Sequence, residues 1–282
     1  MTYSELYQTA RRILQESGND AAVYEARCLM QELMGIDRIR LIADGGRIVP
    51  AEQEQRLIKA AERRADGYPL QYLLGCWTFM GREFAVGEGV LIPRDDTEVA
   101  VMTCREALRD CPKARIADLC SGSGIIAVTL AGMLPQAEVT ALELQEAAFG
   151  YLQKNIAMNG CTNVKALQGD LFTAHTLFAD GSLDAIISNP PYIAREVLPT
   201  LQKEVQFEPA AALDGGDDGL DFYRCLASDW TAKLRKGGSM TLEIGEEQAA
   251  DVMALLSAHG MGELRAVQDI QGLDRVIFGT KI

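Results

Sequence analysis

Apolar residues recur at helical spacing through the first quarter of the chain: Tyr3, Leu6, Tyr7, Ala10, Ile13 and Leu14, then Ala22, Ala26, Leu29, Met30 and Leu33. The spacing predicts helices over 3–17 and 20–35, with a shorter one over 37–44. Pro50 opens a fourth over 51–66, which Gly67 closes, the usual asymmetry of proline before and glycine after a helix. Little strand signal accompanies them, so residues 1–75 are expected to form a small helical bundle. It offers no catalytic chemistry of its own, and substrate recognition or capping is its expected role.

From residue 68 the pattern changes. Cys76-Trp77-Thr78-Phe79 and Arg82-Glu83-Phe84-Ala85-Val86 flank Met80-Gly81 and predict a hairpin; Val90-Leu91-Ile92-Pro93-Arg94 then reads as a short extended segment. Residues 76–94 are accordingly the joint between domains. Asp95-Asp96 opens a helix through about Leu108, and residues 95–282 alternate strands with helices. Strands are expected at 115–119, 138–143, 163–168, 183–188, 238–244, 261–269 and 274–280, with helices near 124–133, 145–159, 218–235 and 246–258. That rhythm predicts a mostly parallel sheet with helices on both faces. The last two strands are joined only by a Gln271-Gly272 turn, which leaves no room for a crossover and makes the pair antiparallel.

At 48% hydrophobic residues the chain has enough apolar material for a core. No window approaches a membrane span, and no basic region leads into an apolar one near Met1, so a cytoplasmic protein without a membrane partner is expected. Seven cysteines with no C-x-x-C pair and only two histidines give no pattern for a structural metal, and no metal is expected. The net charge of −13 is lopsided: residues 1–75 hold 10 Lys/Arg against 11 Asp/Glu, the rest 17 against 29. An acidic second domain disfavours direct binding to nucleic-acid backbones.

Chemistry concentrates after the predicted strands. In Asn189-Pro190-Pro191-Tyr192 two prolines fix successive φ angles, which holds the Asn189 carboxamide, the Pro190 carbonyl and the Tyr192 ring in one relation. An amide oxygen beside a carbonyl is a poor acid or nucleophile but a good clamp for the two hydrogens of an NH2 group. Standing alone, the four residues would also serve as a plain proline-rich turn. Asp118-Leu119-Cys120-Ser121-Gly122-Ser123-Gly124 lies between a strand and a helix, where glycines allow close backbone approach to a ligand. Ala127 stands where a dinucleotide fingerprint needs its third glycine. Asp118 suits a cofactor carrying ammonium and sulfonium charge rather than phosphate. Glu143 can accept both hydroxyls of a ribose, and Asp170 with Leu171 can surround an adenine; Gly169-Asp170 would equally make an ordinary strand-end turn. Residues 190–217 are long for a βα connection and read either as a substrate lid or as an unstructured insertion. Glu243, an acid within an apolar strand, calls for a partner or a task.

Taken together, Pro69-Leu70-Gln71-Tyr72, Phe79, Gly81, Phe84, Ile92-Pro93-Arg94, the 118–124 loop, Asn189-Pro190-Pro191-Tyr192, Glu208-Pro209 and Gly216, Asp218 and Gly219 resemble the bacterial protein-(glutamine-N5) methyltransferases that modify peptide-chain release factors. The resemblance spans nearly the whole chain. It implies a class I methyltransferase fold, a seven-stranded sheet with an antiparallel last strand, plus a small N-terminal helical domain. It implies S-adenosyl-L-methionine as cofactor and the glutamine of the Gly-Gly-Gln loop of release factors as target, with the ribosome as a further candidate partner. The same resemblance places Asp118, Gly122 and Gly124 at the methionine end, Glu143 on the ribose and Asp170-Leu171 on the adenine, with Cys120 also among the cofactor-binding residues. Asn189, which would also border the cofactor, Pro190 and Pro191 would bind the target amide, with Tyr192 against its flat face. Family members continue Pro-Arg with Pro-Glu-Thr-Glu; Asp95-Asp96-Thr97-Glu98 here lacks that rigid proline.

The Asn-Pro-Pro-Tyr motif is shared with amino methyltransferases of nucleic-acid adenine and guanine and of a ribosomal-protein glutamine, and these stay open as alternatives. A binding module for release factors without activity is a third.

Overall fold

The computed structural model describes residues 1–282. The chain divides into two units, residues 1–77 with 202–207, and residues 78–201 with 208–282.

The first unit contains α1 (Tyr3–Glu16), α2 (Ala22–Met34), α3 (Arg38–Ala43), α4 (Ala51–Ala65) and α5 (Leu70–Leu74). Their apolar stripes meet in a core built on Leu6, Ala10, Leu14, Leu29, Met30 and Leu57. Thr2 caps α1 by accepting from the amide of Glu5, whose side chain accepts from Thr2 in return. Arg64 crosses this core with its guanidinium donating twice to Glu25, at 2.6 and 3.0 Å. The sequence pattern did not reveal α5: one turn is too short to show a period. Pro69 before it and Gly75 after it, at φ 75°, are nevertheless ordinary helix boundaries.

The second unit carries the sheet. Strands β1 (Cys76–Phe79), through which the boundary between units runs, and β2 (Arg82–Ala85) form the predicted hairpin. Then come α6 (Thr97–Ala107), β3 (Arg115–Leu119), α7 (Ile125–Met133), β4 (Glu138–Glu143), α8 (Glu146–Met158), β5 (Val164–Gln168), α9 (Leu171–Ala174) and β6 (Leu183–Ser188). The chain ends with α10 (Asp221–Cys225), β7 (Leu234–Glu243), α11 (Ala249–Ala258), β8 (Met261–Gln268) and β9 (Asp274–Lys281). The seven strands lie in the order β5-β4-β3-β6-β7-β9-β8. All neighbouring pairs from β5 to β7 are parallel, while β9 is antiparallel to both β7 and β8, as expected of the class I methyltransferase sheet.

Two expectations need correction. The helix predicted over 218–235 is only Asp221–Cys225, followed by a π turn over Leu226–Trp230 and a tight turn over Thr231–Lys233. Widening the turn accompanies the complete burial of Trp230, whose Nε1 donates to the Leu171 carbonyl at 3.1 Å. Strand β7 also starts at Leu234, earlier than predicted. Leu183 pairs with Leu234 and Ala185 with Ser239, so the residues between, including Gly237 at φ 72°, bulge from the ladder. The connection 190–217 is folded, with single helical turns at Leu198–Thr200, Val205–Phe207 and Ala210–Ala212.

Candidate active site

Strand register assembles the site. Leu119 of β3 pairs with Leu142 of β4 on one side and Ser188 of β6 on the other; Ser188 in turn pairs with Leu242 of β7. The residues that follow, Glu143, Cys120, Asn189 and Glu243, therefore stand at one level across the carboxyl ends of four adjacent strands. Ser188 Oγ fixes that level by donating to the Leu119 carbonyl at 2.6 Å. Chain order runs outward from β3 through β4 to β5, then restarts at β6 on the other side, which opens a crevice at the switch point.

A cavity of about 200 Å³ fills the crevice. Cys120, Gly122, Glu143, Asp170, Leu171, Asn189 and Pro191 line it, with residues 89–94 as another wall. Asp118, Gly124, Pro190 and Tyr192 do not reach its surface.

The loop after β3 is shaped from beneath. Asp118 is fully buried, and its Oδ2 accepts from Ser121 Oγ and from the Ala127 amide. Its Oδ1 is buried without a partner. Burial pushes the carboxyl up to about 7, against the pull of those hydrogen bonds. Direct contact with a ligand, expected from the sequence, is not what this geometry gives: Asp118 builds the loop and acts on a ligand through its charge. Gly122 sits at φ 55° with open space where a side chain would be, so a ligand can approach the main chain. Gly124, at φ 84°, packs so closely that a Cβ would come 2.5 Å from Leu152 Cδ1; its work is packing. Cys120 adopts φ 59°, a left-handed conformation that costs a residue with a side chain roughly 1–2 kcal/mol. Asn155 holds the loop from behind, its Nδ2 donating to the Ser123 carbonyl at 2.8 Å.

Glu143 accepts from the Gly122 amide at 2.8 Å through Oε2 and from the Gln145 amide at 2.7 Å through Oε1. Burial raises its pKa nonetheless. Asp170 caps α9 by accepting from the Phe172 amide at 3.0 Å, and Leu171 beside it is held from behind by Trp230 and by Cys225 Sγ. Phe172 and Phe222, ring centroids 5.3 Å apart, extend this wall.

On the opposite side, Asn189 Nδ2 donates to Thr97 Oγ1 at 3.3 Å. This leaves the lone pairs of the carboxamide oxygen for another donor. Glu208 binds the 89–94 wall, accepting from the Ile92 amide at 2.9 Å and pairing with the Arg94 guanidinium. Tyr192 packs into the apolar cluster below, and its carbonyl accepts from Gln248 Nε2 at 3.0 Å. Burial pushes its hydroxyl up to about 12, so it stays protonated. The Tyr192 ring, expected against the target amide, is therefore not at the cavity. Glu243, level with Asn189 on the neighbouring strand, is buried, and burial lifts its carboxyl to about 7.

The wall charges are two carboxylates, Glu143 and Asp170, and one guanidinium already paired with Glu208. With the unpartnered Asp118 oxygen beneath, this set fits a nucleoside bearing positive charge, as S-adenosylmethionine does, and would repel phosphates. Sequence reasoning missed Thr97 and the Arg94–Glu208 pair as site elements. Arg94 and Glu208 each belong to a legible motif, but 114 residues separate them, and no local pattern reports their meeting.

Comparison with known proteins agrees with this reading. Residues 5–75 match the PrmC N-terminal domain and residues 97–213 the methyltransferase small domain. The release factor glutamine methyltransferase of Geobacter sulfurreducens is 39% identical over 280 residues, covering 99% of this chain and 96% of its own. That of Moorella thermoacetica is 40% identical over 279 residues, covering 98% and 97%. Among solved structures, a methyltransferase from Pyrococcus furiosus shares the fold at a TM-score of 0.53 and 16% identity, covering 82% of this chain and 99% of its own. The chain belongs to the release factor glutamine methyltransferase family.

Proposed function

We infer that this enzyme transfers a methyl group from S-adenosylmethionine to the side-chain amide nitrogen, N5, of the glutamine in the Gly-Gly-Gln loop of peptide-chain release factors. The observation that carries the reading is the fixed carboxamide of Asn189: its nitrogen is turned to Thr97 and its oxygen is left as an acceptor at the cavity wall.

An amide nitrogen is a feeble nucleophile because its lone pair is delocalised into the carbonyl. Asn189 Oδ1 accepts one of its hydrogens at the cavity wall, which raises electron density on nitrogen and orients it; the Pro190 carbonyl, which does not line the cavity, would take the second from a target entering beside it. Positioning of this kind supplies several kcal/mol of rate enhancement. Bound in the cavity, S-adenosylmethionine supplies an electrophilic methyl on a sulfonium. Gly122 would lie against its methionine end, Glu143 would accept from the ribose hydroxyls with the lone pairs left over from Gly122 and Gln145, and Asp170 with Leu171 would border the adenine. Transfer would form the N–CH3 bond as the S–CH3 bond breaks, with the neutral thioether as leaving group, and the nitrogen, then far more acidic, would lose one proton to solvent without a dedicated base.

No helix is long and apolar enough to cross a membrane. A release factor in the cytoplasm, free or on the ribosome, is the partner in this reading. The test is the intact mass of an unmodified release factor before and after incubation with enzyme and cofactor, followed by peptide mapping. A gain of one methyl on the loop glutamine is expected. An unchanged release factor, with methyl appearing instead on adenine or guanine of added DNA or RNA, would overturn the assignment; the acidic second unit argues against that outcome.

A further inference from the structure

The segment Asn189-Pro190-Pro191-Tyr192 is held at both ends. At the first, Ser188 Oγ donates to the Leu119 carbonyl and Asn189 Nδ2 to Thr97 Oγ1. At the second stands Gln248, half-buried just ahead of α11. Its Nε2 donates to the Tyr192 carbonyl at 3.0 Å and to the Gly219 carbonyl at 3.2 Å, while its Oε1 accepts from the Gly245 amide at 2.9 Å. One carboxamide thereby engages three stretches of main chain: the proline segment, the glycine run 215–219 and the exit of β7. The glycine run lies directly on the proline segment. A Cβ on Gly215 would stand 2.8 Å from Tyr192 Cα, and one on Gly219, at φ 76°, would stand 2.4 Å from the Tyr192 carbonyl oxygen. The Gly215 amide completes the junction by donating to the Ile193 carbonyl at 2.9 Å.

We propose that Gln248 is a positioning residue for methyl transfer: by pinning the Tyr192 carbonyl it fixes where the Pro190 carbonyl and the Asn189 carboxamide stand. The proposal rests on the reading of those two groups as acceptors for the target amide. Gln248 does not line the cavity, so it acts through the main chain.

The prolines explain how a hold on Tyr192 reaches Asn189. Their rings lock φ at 190 and 191, and Asn189 and Pro190, each preceding a proline, are confined in ψ to the extended range. These torsions are consecutive, so the chain from Asn189 to Pro191 moves nearly as one body. A shift at Tyr192 is carried back to the acceptors instead of being absorbed on the way. Burial of the Tyr192 ring in the apolar cluster anchors its side chain, whereas the direction of its carbonyl is set by Gln248. The side-chain type is matched to the task. A carboxamide offers two N–H donors for the two carbonyls and an acceptor for the amide. A carboxylate of the same length would keep the bond to Gly245 and set an oxygen against two carbonyl oxygens.

The experiment measures methyl transfer to an unmodified release factor by the full-length wild type, Gln248→Met, Gln248→Glu and Asn189→Ala, and by each Gln248 variant combined with Asn189→Ala, with cofactor affinity and thermal melting in parallel. Both Gln248 variants are expected to lower kcat by about 10- to 100-fold, the scale of a small misplacement of reacting groups, while KM and cofactor affinity change little. On top of Asn189→Ala the same substitutions should cost far less, because the group they position is already gone. Wild-type kcat in folded Gln248 variants, beside an inactive Asn189→Ala, would show that ring burial and the glycine contacts suffice, and would overturn the proposal while leaving the acceptor reading standing. A loss that is undiminished in the Asn189→Ala background, or that is matched by a loss of cofactor affinity, would overturn it as well. An active Asn189→Ala would remove both readings. Should neither Gln248 variant fold, Gly219→Ala displaces the same carbonyl from its other neighbour. A fall in kcat with cofactor affinity retained is then expected, and an unchanged kcat refutes the proposal.

Discussion

The main-chain amide of Gly122 donates to Glu143 Oε2 at 2.8 Å, tying the loop after β3 to the acid that ends β4. One carboxylate thus holds the glycine loop in place and offers its remaining lone pairs to a ligand. Glu143→Ala removes both functions and leaves two amides, those of Gly122 and Gln145, without their acceptor. Cofactor affinity is expected to fall at least about tenfold, since an unsatisfied donor costs roughly 1–3 kcal/mol. Calorimetric titration with S-adenosylmethionine measures it. Glu143→Gln should also weaken binding, because an NH2 in place of one oxygen would confront an N–H.

Asn189 separates binding from chemistry. Asn189→Ala deletes the acceptor while the loop remains fixed by Pro190 and Pro191, so the fold and most cofactor affinity should persist. Methyl transfer should drop by about 100- to 1,000-fold, the range seen when a preorganised hydrogen-bonding group is removed. Asn189→Asp keeps an acceptor oxygen but puts a negative charge beside Thr97, level with the buried Glu243 on the neighbouring strand. Desolvation and like-charge repulsion should make it inactive near neutral pH as well. Single-turnover kinetics with a fixed excess of enzyme tests both variants without interference from product release.

The sheet was legible because its signal is local. Alternation of short apolar runs such as Leu183–Ser188 with helical spacing, and a two-residue turn at Gln271-Gly272, need no information from elsewhere in the chain. The register then places Glu143, Cys120 and Asn189 together, so residues chosen for their position at strand ends do meet. Other features depend on contacts between distant segments. Asp118 reads as a ligand-facing acid until Ser121 and Ala127 are seen to claim it. Tyr192 reads as a ligand contact until its ring is found in the apolar cluster that also contains Leu242 and Ile244. The strand extension at Leu234 depends on a bulge that only pairing with Leu183 reveals.

Buried acids give the protein a measurable pH dependence. Asp118 and Glu243 are lifted by burial to about 7 from ordinary values of 3.8 and 4.5, so at intermediate pH the native chain binds more protons than the unfolded one. Below both ordinary values each group is protonated in either state and imposes no penalty. As pH rises toward about 7 the penalty accrues, and stability falls by up to roughly 3–4 kcal/mol per group before levelling off. Asp118→Asn should therefore flatten the loss of stability between pH 5 and pH 8, even if its stability at pH 5 is lower than that of wild type. Urea titration of the ligand-free protein at those two pH values measures the difference; equal slopes for wild type and variant would refute it.

Trp230 links a distant packing feature to the cofactor wall. It is fully buried on the π turn after α10, and its only polar atom donates to the Leu171 carbonyl at 3.1 Å. Trp230→Phe keeps most of the apolar volume but removes that donor, leaving the weaker Cys225 Sγ at 3.7 Å as a partner for the carbonyl. The loss of stability should be about 1–3 kcal/mol, from an under-satisfied buried carbonyl and a small void. Because the freed carbonyl belongs to the residue beside Asp170, cofactor affinity should weaken several-fold as well, with KM for the release factor unchanged. Phe178, whose ring centroid lies 5.2 Å from that of Trp230, provides the control: Phe178→Leu loosens the same packing but leaves the hydrogen bond in place. If Phe178→Leu weakened cofactor binding as much as Trp230→Phe does, packing rather than the indole donor would be what holds the wall.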